Sequence, residues 1–153
     1  MRTLGGMTTT HPMQTSPVSA NLAVLRRFVD EILNHGRFEV MAELVHPDYR
    51  YYGPDGSEIS GRDGLKGLIA GFRDGFSDLN AQITSEIEEG EYVVLTMVLT
   101  GTHDGDFAGM PPSGKRFELP IAVVTQFVNR QIIEDREYYD TATMVTQLTA
   151  DAR

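Results

Sequence analysis

Four strand-like segments follow one another in the second half of the chain, and no other feature limits the possible folds as much. They are predicted at 79–88, 92–103, 115–127 and 131–139. Gly90 supplies the turn of the first hairpin, and Asn129–Arg130 supplies that of the third. Helix-like segments precede them at 19–35, 38–45 and 62–76, and a short helix is predicted at 141–148. Helices followed by an antiparallel meander indicate an α+β fold.

Capping residues and glycines give information about two of these helices. Ser19 is a favoured N-cap for the first helix, and Gly36 is a common residue after a helix end. The third helix carries glycine at 64, 67, 71 and 75, along one stripe. Because glycine destabilises a helix interior by up to about 1 kcal/mol, this stripe predicts that another backbone or a ligand comes close. The alternative is a loose helix held only by its apolar side chains.

The length and composition of the chain limit the kinds of function that it can have. The 153 residues favour one domain, and a chain of this size buries roughly two thirds of its unfolded surface without metal or disulfide. The absence of cysteine excludes disulfides, thiolate zinc sites and cysteine nucleophiles, and it fits a cytoplasmic location. The net charge of −9 argues against nucleic acid and anionic membranes as partners. No apolar run is long enough to span a bilayer.

The N-terminal segment differs from the rest of the chain. Residues 1–18 are rich in Thr, Ser, Pro, Gly and Met and have no periodicity, so we expect a disordered tail there. The folded domain is therefore predicted over 19–153.

Alternation assigns the faces of the second predicted strand. It places Val93, Leu95, Met97 and Leu99 on the core side, so that His103 points inward at the strand's end. His103 is then either a functional group or a histidine at the sheet rim that bonds to a backbone carbonyl.

The last predicted strand carries charges on both faces. Ile133, Asp135, Glu137 and Tyr139 share one face, and positions 132, 134, 136, 138 and 140 share the other. Such a strand either borders solvent or turns some of its charges into a polar pocket.

The most distinctive local pattern lies at 101–115 and reads Gly-Thr-His-Asp-Gly-Asp-Phe-Ala-Gly-Met-Pro-Pro-Ser-Gly-Lys. Further on, Tyr138-Tyr139-Asp140 is followed by Gln147-Leu148. These segments resemble the SnoaL-like polyketide (ester) cyclase family, whose pattern is Gly-Thr-His-x-Gly-x-Phe-x-Gly-x-Pro-Pro-Thr-Gly-Lys and which closes on Tyr-Tyr-Asp and Gln-Leu-Gly. The likeness extends over about 21–148.

The resemblance implies the cone-shaped nuclear transport factor 2-like (cystatin-like) fold, in which a curved antiparallel sheet wraps around helices and leaves a central pocket. In family cyclases, an aspartate on the last strand is acid and base for an intramolecular aldol ring closure. Its position falls on Glu137, with Asp140 as the second candidate. A histidine found in several cyclases falls near Val123, and the family's tryptophan has no counterpart.

The candidate residues suit proton transfer. A carboxyl group in an apolar pocket has a raised pKa and can exchange a proton near neutral pH. We predict Glu137, Asp140 and His103 as catalytic residues, with Tyr138 or Tyr139 as the donor to a developing oxyanion.

Arg136 would keep one of these carboxylates ionised. An acid pair with an arginine also suits epoxide hydrolysis, although Arg136 and Glu137 alternate faces, which counts against that reaction. The predicted substrate-binding residues are Tyr138, Tyr139, Arg136, Tyr52, Phe28, Phe72, Met97, Met110 and Phe127. The histidines lack metal-ligand spacing and the glycines lack that of a nucleotide loop, so we expect neither metal nor cofactor.

We therefore expect cofactor-free acid/base catalysis of an aldol-type cyclisation, on a polyketide or a related hydrophobic precursor. We expect a cytoplasmic homodimer formed through the sheet. The alternatives are a non-catalytic binding or accessory domain, and an epoxide hydrolase or isomerase of the same fold.

Overall fold

The structure is a computed structural model and describes residues 18–150. The predicted tail at 1–18 lies outside the described residues except for Val18. The helices are α1 (Ala20–Arg27), which continues as a π-helix (Phe28–Asn34), α2 (Met41–Leu44) after a 3₁₀ turn (Phe38–Val40), α3 (Gly61–Gly75) and α4 (Thr141–Thr149). The strands are β1 (Val45–Tyr52), β2 (Glu58–Ser60), β3 (Asn80–Glu89), β4 (Tyr92–Thr102), β5 (Arg116–Val128) and β6 (Gln131–Tyr138).

One six-stranded sheet organises the described chain, in the order β2-β1-β6-β5-β4-β3. Neighbours run antiparallel except β1 and β6, which are parallel. The predicted four-strand meander and the α+β fold class are confirmed. The short β2 was not predicted, because only three residues form it. The consequence for function is that β1, from the first half of the chain, lies beside the last strand.

Local signals account for the ends of the elements. The Ser19 hydroxyl accepts a hydrogen bond from the Leu22 backbone N–H at 3.0 Å, as predicted for an N-cap. At the turn between β5 and β6, Asn129 and Arg130 adopt φ of 51° and 63°, the left-handed conformation that a two-residue hairpin turn requires.

The core lies between the concave face of the sheet and the two long helical segments. The predicted inward set of β4 is confirmed, because Val93, Leu95, Met97 and Leu99 are all buried. Leu25, Ile32, Leu65 and Ile69 cover that face from the helices. None of the helices within 18–150 has the length and apolarity that crossing a membrane requires.

The predicted alternation along the last strand is wrong at its start. Gln126 pairs with Glu134 but Phe127 pairs with Ile132, so Ile133 is an extra residue that forms a β-bulge. Ile132 is fully buried as a result. Downstream of the bulge, Asp135 and Glu137 keep the shared face that alternation predicts.

The glycines of the α3 stripe differ in what lies close to them. Another backbone approaches Gly75 as predicted, because the Asp104 and Gly105 N–H groups both donate to its carbonyl oxygen at 3.1 Å. A Cβ at Gly75 would also lie 2.8 Å from the Cβ of Phe107. A Cβ at Gly67 or Gly71 would meet no atom of the described residues within 4 Å. At those two positions no other backbone of residues 18–150 comes close.

Candidate active site

A cavity lies between the helices and the concave face of the sheet. Its volume is about 80 Å³. Apolar side chains from α1, the π-helix, α3, β4 and β5 form most of the wall. The polar groups are confined to one side, and they are Tyr49, Tyr51, Thr125, Asp135, Glu137 and Tyr139. The cavity wall is thus apolar on most sides, and one side carries hydroxyl and carboxyl groups.

The strand order brings these polar groups together. β1 and β6 are parallel neighbours, with Tyr51 opposite Asp135. Because alternate residues of a strand share a face, Tyr49 and Tyr51 point to the same side as Asp135 and Glu137. On the other flank of β6, Thr125 of β5 lies opposite Asp135.

Asp135 is held by two hydroxyl groups. Tyr49 donates a hydrogen bond to Oδ2 at 2.7 Å, and Thr125 donates to Oδ1 at 2.6 Å. The side chain is almost fully enclosed, with 7% of the residue exposed. Burial raises the pKa of Asp135, and the two donated hydrogen bonds oppose that rise.

Glu137 is held at one oxygen by Tyr51, whose hydroxyl donates to Oε1 at 2.9 Å. Burial in the apolar cavity raises the pKa of this carboxyl from 4.5 to about 7. The hydrogen bond from Tyr51 opposes the rise, and the charge of Asp135 adds to it. Near neutral pH both protonation states of Glu137 are therefore populated, which favours general acid/base catalysis.

The tyrosines remain protonated donors. Burial and the neighbouring carboxylates raise the pKa of Tyr49 and of Tyr51 well above 10.0. The pKa of Tyr139 rises to about 12 for the same reasons. All three hydroxyls can thus donate a hydrogen bond at neutral pH.

Among the described residues, the lining of the cavity contains no Lys, Arg or His. No three Cys, His, Asp or Glu side chains within 18–150 come together as metal ligands would. The two carboxyls therefore meet tyrosine and threonine hydroxyls and apolar groups, without a neutralising cation of the protein.

The structure places five of the predicted residues in the cavity wall. They are Glu137, Tyr139, Phe28, Phe72 and Met97. Phe28 comes from the π-helix, Phe72 from α3 and Met97 from β4, so three elements contribute the predicted apolar side chains.

The predicted place of Asp140 in the pocket is corrected. Asp140 is exposed and is the N-cap of α4. Its carboxylate accepts hydrogen bonds from the Ala142 backbone N–H at 3.0 Å and the Thr143 hydroxyl at 2.8 Å, and these lower its pKa. The charge at the strand's end belongs to a helix start.

His103 is also corrected, because it is buried away from the cavity lining. Its Nδ1 accepts a hydrogen bond from the Ser113 backbone N–H at 3.2 Å and lies 2.9 Å from the Ser113 hydroxyl oxygen. The proton of a neutral ring is then on Nε2, which has no partner among the described residues. The ring packs against Phe76, with 5.4 Å between centroids. His103 fixes the 104–114 segment to the end of β4.

Arg136, Tyr138 and Tyr52 lie outside the cavity lining. Arg136 sits 4.3 Å from the centroid of the Tyr52 ring and donates to Glu134 at 3.2 Å. Tyr138 is 55% exposed. Arg136 therefore does not join Glu137 in the cavity, and the acid–arginine–acid set considered for epoxide hydrolysis is not assembled.

The last two predicted wall residues are corrected as well. Phe127 is fully packed in the core, outside the cavity lining. Met110 is half-buried against the core, where its backbone exchanges hydrogen bonds with Phe107.

Sequence reasoning missed Tyr49, Tyr51, Thr125 and Asp135 as site residues. Asp135 could have been found, because it is two residues from Glu137 on the face that alternation assigns to both. The tyrosines could not, because the parallel pairing of β1 with β6 has no local signal in the sequence.

Comparison with known proteins agrees with this architecture. A profile of the SnoaL-like polyketide cyclases matches residues 23–148. The chain belongs to the SnoaL-like polyketide cyclase family. It is similar to the nogalonic acid methyl ester cyclase of Streptomyces nogalater, with 32% identity over 119 residues, covering 75% of this chain and 87% of that protein. It is 28% identical over 126 residues to the aklanonic acid methyl ester cyclase DnrD of Streptomyces peucetius, covering 80% of this chain and 86% of that protein.

Solved structures support the same family and fold. A protein from Jannaschia sp. CCS1 assigned to the SnoaL-like polyketide cyclases superposes with a TM-score of 0.82 at 27% identity, covering 91% of this chain and 99% of that one. The predicted nuclear transport factor 2-like fold is confirmed, since proteins of that fold and of the ketosteroid isomerase-like fold are also structural neighbours.

Proposed function

We propose that this SnoaL-like protein is a cyclase that closes a carbon ring by cofactor-free acid/base catalysis, with Glu137 as the catalytic acid and base. The observation that carries the proposal is the enclosure of Glu137 in an apolar cavity, where its pKa rises to about 7. Such a carboxyl can take a proton and return it at the same pH.

The proposed reaction is an intramolecular aldol addition. The Glu137 carboxylate takes a proton from a carbon next to a carbonyl group of the substrate. The electron pair left behind forms a bond to a second carbonyl carbon of the same molecule, and the π electrons of that carbonyl move to its oxygen. Glu137 then returns the proton to this oxygen. No atom is gained or lost, so substrate and product are isomers.

Tyrosine hydroxyls support the charged species of this reaction. Tyr139 lines the cavity as a protonated donor and can stabilise the developing oxyanion. Tyr51 holds Glu137 by one oxygen, so that the carboxyl keeps one orientation while it exchanges its proton.

The charge of the cavity supports a neutral substrate. A ligand carboxylate would meet Asp135 and Glu137 without any lining Lys, Arg or His, which is unfavourable in a low dielectric. The names of the two curated relatives given above specify methyl esters, in which the acid group carries no charge. We extend that substrate class, a methyl ester of a polyketide acid, to this chain as part of the proposal.

The size of the cavity sets a further condition. Pockets for drug-sized ligands have volumes of about 300–1,000 Å³, well above the 80 Å³ measured here. A multi-ring substrate therefore requires the apolar wall to open on binding. We expect the helical side to move, because the opposite wall is fixed by the strand ladder of the sheet.

The experiment is a cyclisation assay on the purified protein with aklanonic and nogalonic acid methyl esters, read by liquid chromatography and mass spectrometry. A product of unchanged mass and altered retention is expected. Glu137→Gln should lower its rate by at least about 100-fold. Asp140→Asn is the matched control, since it changes an exposed acid of the same segment that asparagine replaces well as a cap. Binding without turnover would instead identify a non-catalytic binding domain.

The assembly belongs to the same proposal. The outward face of β4 and β5 carries Val94, Val98 and Val124, and Val94 lies opposite Val124. We propose that two copies of the chain pair through this face, and that the protein acts in the cytoplasm.

A further inference from the structure

The proposed mechanism assigns no role to the buried acid Asp135. Asp135 is as enclosed as the hydrophobic core, yet a buried carboxylate without a cation is unfavourable by several kcal/mol unless hydrogen bonds compensate. Replacement by an apolar residue would remove that penalty. Its position two residues from Glu137, on the same face of β6, suggests that its charge acts on Glu137.

The contacts of Asp135 suit a fixed charge better than a proton-transferring group. One carboxylate oxygen is occupied by the hydroxyl of Tyr49 and the other by that of Thr125. Both donors are themselves buried, with 1% and 0% exposed. Asp135 is therefore fixed from both sides, and each of its oxygens already accepts one hydrogen bond.

The same contacts decide which acid holds the negative charge. Asp135 receives two donated hydrogen bonds, while Glu137 receives one, from Tyr51. Hydrogen bonds donated to a carboxylate favour its charged form. The ionised member of the pair is then Asp135, and Glu137 is the member that exchanges its proton.

We propose that Asp135, held as an anion by Tyr49 and Thr125, is a positioning residue whose fixed negative charge keeps Glu137 able to exchange a proton near neutral pH. This inference rests on the proposed function for its catalytic meaning. Its electrostatic content is independent of which reaction the cavity performs.

The surroundings leave this charge unscreened. Glu137 and Asp135 are faced by the hydroxyls of Tyr49 and Tyr51 from β1 and by Tyr139 after β6. β5 contributes Thr125, and the helices and β4 contribute only apolar side chains to the cavity. The nearest charges on the other face of β6 are Glu134 and Arg136, which pair with each other at 3.2 Å.

Distance gives the size of the effect. Two residues along a strand span about 6.7 Å. A unit charge at that separation, in the intermediate dielectric of a protein interior, changes the midpoint of a titrating neighbour by about one to two pH units. Removal of the Asp135 charge should therefore lower the titration midpoint of Glu137 by at least about one pH unit.

The experiment follows the Glu137 carboxyl carbon by NMR in protein labelled with ¹³C-glutamate, with the signal assigned by its loss in Glu137→Gln. In Asp135→Asn the midpoint of Glu137 should fall by about one unit or more. Glu134→Gln is the matched control, because it removes an acid next to Asp135 on the outer face, and it should leave the midpoint near that of the wild type. The acid limb of the pH profile of kcat/KM should move with the NMR midpoint.

A second variant covers the case in which Asp135→Asn fails to fold. Thr125→Val removes one of the two donors at nearly constant volume, which weakens the Asp135 anion and should move the Glu137 midpoint in the same downward direction. An unchanged or higher midpoint in folded Asp135→Asn, or a higher one in Thr125→Val, overturns the proposal. A lower midpoint in a protein that cyclises nothing supports it while refuting the proposed function.

Discussion

Glu137 should make the folded protein less stable at alkaline pH, and its removal should reverse this. Its pKa is about 7 in the fold, against an ordinary value of 4.5. The folded protein thus binds this proton more tightly than the unfolded chain does. Stability therefore falls as pH rises from the unfolded value to the folded one, and the whole loss persists at higher pH.

The size of the loss follows from the same pKa values. At about 1.4 kcal/mol per pKa unit, the ionised Glu137 costs about 3 kcal/mol at pH 8, and less than about 1 kcal/mol at pH 5. Glu137→Gln should accordingly be more stable than the wild type at pH 8 by about 2 kcal/mol more than at pH 5. The proposed cyclisation should be lost in the same variant, so that stability and activity change in opposite directions.

Chemical denaturation at the two pH values measures this difference. Comparing variant with wild type at each pH cancels the groups that do not interact with Glu137, so the remaining difference belongs to Glu137 and the groups coupled to it. Glu134→Gln is the control, because it changes an acid on the other face of the same strand. A Glu137→Gln difference that stays constant, or is larger at pH 5, would refute the raised pKa.

Three other predictions follow from individual contacts. Tyr51→Phe removes the hydrogen bond that opposes the raised pKa of Glu137, so the acid limb of kcat/KM should move to higher pH by about one unit. Asp140→Ala should destabilise the protein by about 1 kcal/mol through the lost cap, measured by urea unfolding, with cyclisation kinetics preserved. Size-exclusion chromatography with light scattering should find a dimer for the wild type and a monomer for Val124→Lys, which places a charge beside Val94 in the face proposed to pair. A wild-type monomer would contradict the dimer proposal.

The sequence predicts the sheet better than the site. Alternation along β4 and the turn signals at Gly90 and Asn129 place the meander, because these signals are local. Glu137 could also be found, since the family pattern and the alternation of β6 agree on it. The bulge at Ile133 could not, because an extra residue leaves no pattern in eight residues of mixed charge.

The errors in the site have physical causes. Asp140 precedes Thr-Ala-Thr at a helix start, where a carboxylate caps free backbone N–H groups. This capping signal should have outweighed the argument that Asp140 lies only three residues from Glu137. His103 does point to the buried face of β4, as predicted. There it packs against the aromatic ring of Phe76 and does not line the cavity. Tyr49 and Tyr51 reach the acids only through long-range strand pairing.

The most direct test of the account is the titration of Glu137 in the wild-type protein, followed at its carboxyl carbon by NMR. We predict a midpoint near pH 7, as expected for an acid enclosed by apolar walls beside a second carboxylate. A midpoint near 4.5, the ordinary value of a glutamate, would contradict the account, because such a group would be fully ionised at neutral pH and a weaker base for taking a proton from carbon.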